Sequence, residues 1–272
     1  MTATTDARLG AAMDVRFGAT AEAFLDYLTD LGLDHVEFKR EYLHGHPDAP
    51  TPEDVRELAD RYGVSVTYHA PFRDWNLGSF NEESRRASVR QVKRTIDDAA
   101  TAGAGAVVVH GGSVPRRYPE WVRSTARENA RHSLAECAEY AHLVGVPLCL
   151  ENQPRDESEC RYTTTPSDLE AVLAEVDVTP EYFGVTLDVG HATVNDCDWG
   201  AFVERFGDRI RVCHLHDNDG TADLHEPLTD YEPVVEAVPA DYFVFETKSV
   251  ADVARCVGAE PTPIDSRLTS DT

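Results

Sequence analysis

Lysine is nearly missing from this chain. Of its 25 basic residues only Lys39, Lys93 and Lys248 are lysines, leaving 22 arginines, against 49 acidic side chains and a formal net charge of −24. In ordinary salt such a charge repels a phosphate backbone. Acid excess with scarce lysine is also the composition of a halophilic protein, and in that setting the charge disfavours DNA only weakly. Long apolar runs are absent too: none approaches the ~20 residues of a membrane span. The opening MTATTDARLGAAMDVRFG lacks a basic segment followed by an apolar one, so no signal peptide is expected. The six cysteines (137, 149, 160, 197, 213 and 256) form no CxxC pair and read as reduced cytoplasmic thiols. No glycine-rich phosphate loop stands out, since GAGAVVVHGG (103–112) reads as a helix end feeding a strand. Neither an internal repeat nor a linker divides the chain.

What is present is alternation. Short β-branched runs fall near 8–14, 35–39, 64–70, 106–111, 146–152, 183–189, 210–216 and 242–247, with amphipathic stretches between them. Val89, Val92, Ile96, Ala99 and Ala100 keep helical spacing up to a stop at Gly103. Trp121, Val122, Ala126, Ala130, Leu134, Ala138 and Ala141 keep it over a longer helix. TPED (51–54) and TPSD (165–168) each offer a Thr cap, Pro at the first helical position and Asp at the third. Eight strands alternating with helices over ~250 residues predict an α/β fold, a single-domain (β/α)8 TIM barrel over 1–258. Residues 259–272, with little to bury, are expected to form a flexible tail.

Seven of the eight strands end on a residue able to ligate a metal: Glu37, His69, His110, Glu151, Asp188, His214 and Glu246. Side chains alternate along a strand. With these pointing inward, Thr67, Val108, Cys149, Thr186, Val212 and Val244 share the interior, and apolar Val66, Val185, Leu187, Phe243 and Phe245 face the helices. The polar groups then converge on the barrel mouth, where such folds hold their active sites. Several acids and imidazoles in one pit are unfavourable without compensation, and a divalent cation supplies it. Mixed histidine and carboxylate donors suit Zn or Mn, and carboxylate-rich sites admit Mg. His216 and Asp217, in the crowded stretch CHLHDNDGTADLH (213–225), read as supporting or substrate-contacting groups. His132 and His142 read as solvated helix residues and His35 as a strand-start residue away from the mouth. His44 and His46 follow the second strand, either in an exposed loop or within reach of substrate.

The motifs HAPF, NLGS, VVVHGG, LEN, LDVGH, CHLHDND, DLH and FET, spread over residues 8–250, resemble the xylose isomerase-like barrels. That superfamily holds sugar and sugar-phosphate isomerases and epimerases, and also the endonuclease IV enzymes that cut DNA at abasic sites. The resemblance to the isomerase branch implies one metal on Glu151, Asp188, His214 and Glu246. The resemblance to the nuclease branch implies three zinc ions on His69, His110, Glu151, Asp188, His191, His214, Asp223, His225 and Glu246. Ketose epimerases place an arginine shortly after the metal-binding histidine, whereas this chain has Asp217, Asn218 and Asp219.

The expected activity is that of a metal-dependent sugar or sugar-phosphate isomerase or epimerase. The resemblance implies Glu151 and Glu246 as proton carriers, with His191 and His69 holding hydroxyls or shuttling protons. Glu37, Phe72, Trp75 and His216 are candidate substrate contacts, the two aromatics as a lid over a small ligand. The rival is an abasic-site endonuclease, with Phe72 and Trp75 as wedges in the DNA and Arg40 and Arg73 on phosphate. A third reading is a catalytically dead ligand-binding barrel. The acidic DLHEPLTDYEP stretch (223–233) makes a nucleic-acid duplex a poor partner.

Overall fold

The computed structural model describes residues 7–264. Ten strands run β1 Arg8–Met13, β2 His35–Lys39, β3 Ser65–His69, β4 Val107–His110, β5 Ser113–Pro115, β6 Leu148–Glu151, β7 Glu159–Arg161, β8 Phe183–Asp188, β9 Ile210–Leu215 and β10 Tyr242–Phe245. Eight of them close into a parallel barrel in the order β1-β10-β9-β8-β6-β4-β3-β2, and β5 and β7 form a separate antiparallel pair. The eight barrel strands are those expected from the sequence, to within two residues at each end. The β5/β7 pair was not expected, because three-residue strands are too short to show an alternation.

The helices are α1 Ala21–Asp30, α2 Arg40–Gly45, α3 Pro52–Tyr62, α4 Glu82–Ala102, α5 Glu120–Val144, α6 Pro166–Leu173, α7 Val189–Val194, α8 Trp199–Phe206, α9 Glu232–Ala237 and α10 Val250–Cys256. Both Thr-Pro starts are capping boxes, Thr51 with Asp54 and Thr165 with Asp168, in which each side chain bonds the other's backbone N–H. Helix α4 ends at Gly103, whose φ of +73° suits a residue without Cβ. It begins seven residues before Val89, at a cap where Asn81 accepts from the Ser84 N–H. Trp121, counted with the apolar face of α5, is instead 73% exposed, and Val122 is the first buried residue of that helix. Among the described residues no helix is long and apolar enough to cross a membrane. Of the tail expected from 259, residues 265–272 lie outside the described residues, while Ala259 and Ile264 pack against the core.

Two separate apolar clusters show the strand parity directly. Ala12, Ala106, Val108, Cys149, Val212 and Val244 fill the barrel interior. Leu148, Leu150, Val185, Leu187, Phe243 and Phe245 belong to the larger cluster under the helices and are at most 1% exposed. Each such burial contributes roughly 1.5–3 kcal/mol. Register then fixes height: His110 pairs with Glu151 across β4 and β6, Asp188 with His214 across β8 and β9, and Lys39 with His69 across β2 and β3.

His35 lies at the start of β2, as read, but inside the barrel. Its ring nitrogens bond Ser65 Oγ (2.9 Å) and Thr67 Oγ1 (3.0 Å), and the ring stacks on Tyr242. Burial is the main cause that lowers its pKa to about 4. Folding therefore favours the neutral ring. Its contribution is complete above pH ~6.5, where the unfolded imidazole is also neutral, and is lost as pH falls from there towards 4. The unfolding free energy of wild type should drop over this window by about 3 kcal/mol more than that of His35→Gln, measured by denaturant titration. Parallel pH profiles would contradict this account.

Candidate active site

Seven strand ends bring their polar side chains to one point. His214 Nδ1 lies 3.4 Å from Glu151 Oε1, 3.5 Å from Glu246 Oε1 and 3.8 Å from Asp188 Oδ2, yet makes no hydrogen bond. All four residues are at most 4% exposed. Glu246 Oε1 is buried and ion-paired with Lys39 Nζ at 3.0 Å. Buried polar atoms are normally paired, so an unbonded imidazole nitrogen facing three carboxylates is the arrangement a cation completes. The sequence-predicted set Glu151, Asp188, His214 and Glu246 is thus brought together, and its chemistry fits a divalent ion.

Two further groups flank it. His69 Nε2 and His110 Nε2 stand 3.2 and 2.9 Å from Glu151 Oε2. On the other side His191, His216, Asp223 and His225 place ligand atoms within 4.8 Å of one another. His191 Nε2 is 3.5 Å and His225 Nε2 3.2 Å from Asp223 Oδ2. The local fold explains how Asp223 and His225 arrive. Asp217 and Glu226 exchange two backbone hydrogen bonds of 2.8 Å, closing 217–226 into a hairpin, and Asn218 Nδ2 donates to Gly190 O. Asp217 and Asn218 thus build the hairpin where ketose epimerases carry an arginine. His225 sits at φ +48°, a strained value for a residue with Cβ, and its Nδ1 is held by Glu246 O at 3.0 Å.

Electrostatics follow from crowding. Burial pushes the Glu151 carboxyl up, but the charge of His110 beside it and the close His191 and His214 imidazoles outweigh that and hold it well below the usual carboxylate range. Glu246 behaves alike: burial opposes ionisation, while Lys39 and His214 favour it. For His214, burial opposes the charged form, and Glu37 and Glu246 raise it well above the ordinary imidazole value. Only the anionic carboxylate form ligates a metal well.

Other residues singled out from sequence fall at different depths. Glu37, read as a candidate substrate contact, is fully buried beneath the site, where it holds His214 Nε2 at 3.2 Å and accepts from Thr67. His216 is buried too, at 1% exposure. Its Nε2 holds Asp188 at 3.0 Å, and its ring leaves no space for a Cβ at Gly190, which would lie 2.1 Å from the ring. Trp75 lines a smaller adjoining pocket, whereas Phe72 lies over His69 and His110 at the mouth. Arg40 is buried and paired with Asp98 on the outer face, so of the two phosphate candidates only Arg73 borders the mouth. His44 accepts from Arg40 on that outer face, and His46 is buried against Tyr42. Neither reaches the mouth cavity. Sequence reading missed Asp14, Arg16, Lys39 and Lys248, which line the ≈ 350 Å³ mouth cavity. The scarcity of lysine was the available signal for two of them.

Residues 25–255 match the family model of the xylose isomerase-like TIM barrel. The chain belongs to that family. A protein of Methanocaldococcus jannaschii without assigned function is 30% identical over 78% of this chain and 74% of its own length. The fructoselysine 3-epimerase of Shigella flexneri is 27% identical over 75% of this chain and 73% of its own length. A crystal structure of a D-tagatose 3-epimerase-like protein superposes with a TM-score of 0.76 at 26% identity, covering 92% of this chain and 94% of that one.

Four ligand-type side chains converging on one point predict the behaviour of variants. Asp188→Asn and Glu246→Gln should each weaken divalent-ion affinity at least ~100-fold in calorimetric titration, with unchanged circular dichroism. His214→Ala should lose the ion, and His216→Ala should weaken it only ~10–100-fold. Wild-type affinity in the carboxylate variants would refute a shared site.

Proposed function

We propose that this protein is a divalent-metal-dependent sugar or sugar-phosphate isomerase or epimerase, with one Mn, Mg or Zn ion held by Glu151, Asp188, His214 and Glu246. The observation that carries the reading is His214 Nδ1, buried and unbonded among three carboxylates, at the open end of a barrel related to a sugar 3-epimerase. A bound divalent cation supplies Lewis acidity to a carbonyl and its neighbouring hydroxyl.

The chain's own residues supply the proton chemistry. Glu151 and Glu246 stand on strand ends separated by β8 and β9, so they approach a ligand at the centre from different sides. Both carboxylates are held ionised, and an ionised carboxylate is a base. In isomerisation one takes the proton from the carbon beside the carbonyl and returns that same proton to the neighbouring carbon; in epimerisation the other, once it has itself taken a proton from water at the mouth, delivers that proton to the opposite face. His69 is fixed by its Nδ1, which donates to Ala70 O at 2.8 Å, leaving Nε2 toward Glu151. His191 is fixed by its Nδ1 against Asn152 O at 2.8 Å, leaving Nε2 toward Asp223. Both rings are thereby oriented to hold hydroxyls or carry protons. Phe72 closes over the histidines and limits water.

A second reading is favoured by the two flanking groups, His69–His110–Glu151 and His191–Asp223–His225, which suit further zinc ions and phosphodiester hydrolysis. The local charge argues against a duplex: Asp223 lines the mouth cavity, and the segment that continues from it, DLHEPLTDYEP (223–233), adds Glu226, Asp230 and Glu232 with no lysine or arginine.

Incubated in D₂O with Mn and a panel of ketoses and aldoses, across a range of KCl, the protein should introduce deuterium at the carbon beside the carbonyl. Glu151→Gln should lower that rate ~10²–10⁴-fold. Metal-dependent nicking of an abasic-site duplex, lost in His225→Ala, with no deuterium uptake on any sugar, would instead establish the nuclease.

A further inference from the structure

The mouth cavity has two unlike walls. One is the histidine and carboxylate cluster on β3, β4, β6, β8 and β9. The other is the adjoining arc of β2, β1 and β10, and it is cationic. Lys39 ends β2, Arg16 follows β1 and Lys248 lies two residues beyond Glu246, and all three line the cavity. Two of the chain's three lysines therefore stand on one wall. The third, Lys93, pairs with Glu136 across α4 and α5.

Lys39 is the least ordinary of these residues. Lysines are almost never fully buried, yet Lys39 is only 7% exposed, with Nζ 3.0 Å from Glu246 Oε1. Arg16 is held at the wall by Asp14, through Nε at 2.7 Å and Nη2 at 2.8 Å, leaving Nη1 uncommitted. Lys248 is exposed and has no ion-pair partner among the described residues. The wall thus holds three cations against Asp14 and Glu246, and Glu246 is shared with the His214 cluster. Over the whole lining, Arg73 and Arg161 included, five cations meet five carboxylates, but in a chain of net charge −24 a wall on which cations outnumber carboxylates is not a property of the surface at large. Uncharged sugar hydroxyls are matched by polar groups of either kind. Partly desolvated cations gain most from an anion.

We infer that the cavity takes a sugar carrying a terminal oxyanion, phosphate or carboxylate, which docks on Arg16, Lys39 and Lys248 while the opposite end faces the His214 cluster. The inference rests on the isomerase reading for the sugar, and on the wall alone for the anion.

Unreactive ligands separate the two. Calorimetric titration of the Mn-loaded protein with D-sorbitol, D-sorbitol 6-phosphate, D-gluconate and inorganic phosphate measures binding without turnover. At least one of the two anionic sugars should bind about tenfold or more tighter than sorbitol, and which one does so identifies the oxyanion. That preference should fall about tenfold in Lys248→Gln and in Arg16→Gln, with sorbitol affinity unchanged. Equal affinities for sorbitol and both anions, or no binding of any anion, would overturn the inference. So would a preference that persists in both variants, since the anion would then sit on the metal. Deuterium uptake by neutral ketoses without any anion preference would leave the isomerase reading standing and remove this one. Anion preference on the cationic wall with no uptake on any sugar would do the reverse.

Discussion

Everything at the barrel mouth depends on how three buried carboxylates tolerate one another. Glu151, Asp188 and Glu246 reach the same imidazole from three strand ends, each at most 4% exposed. Placing one anion in such a setting is costly, and three are tolerable only with cations around them. The fold supplies partial compensation: His69, His110 and His191 around Glu151, Lys39 on Glu246, His216 on Asp188. The unbonded Nδ1 of His214 shows where that compensation stops. In the proposed reading a divalent ion would finish it, leaving the same compensated carboxylates as competent bases.

The layer beneath is as constrained as the site. Glu37, fully buried, fixes His214, and Thr67 and His35 fix the level below. Asn152 ties Asp188 at both ends, accepting from its N–H at 2.7 Å and donating to its carbonyl at 2.8 Å. Gly190 exists where the His216 ring needs the space of a Cβ. Such supporting contacts hold ligands to the small tolerances that metal sites and proton transfer require.

The barrel was legible because its strands are buried on both faces and most of their carboxylates and imidazoles gather at one end. Parity then assigned the inward side of Val108, Cys149 and Val212 correctly. What sequence could not supply was depth. Glu37 and His216 have the right chemistry and parity, but one lies a level below the mouth and the other turns behind Asp188. Nor could it place Lys39, because a strand-end lysine normally reads as solvated, and only the barrel's closure puts β2 beside β1 and near β10. Arg40 erred the opposite way, its position one residue later turning it to the outer face.

The central claim is that the crowded cluster is a metal centre. Elemental analysis of the folded chain, after equilibration with Mn, Mg or Zn and removal of free ion by gel filtration, measures it directly. The account predicts at least one ion per chain for one of the three metals, lost on Glu246→Gln. A folded chain that retains none of them, with Glu151, Asp188 and Glu246 intact, would contradict it.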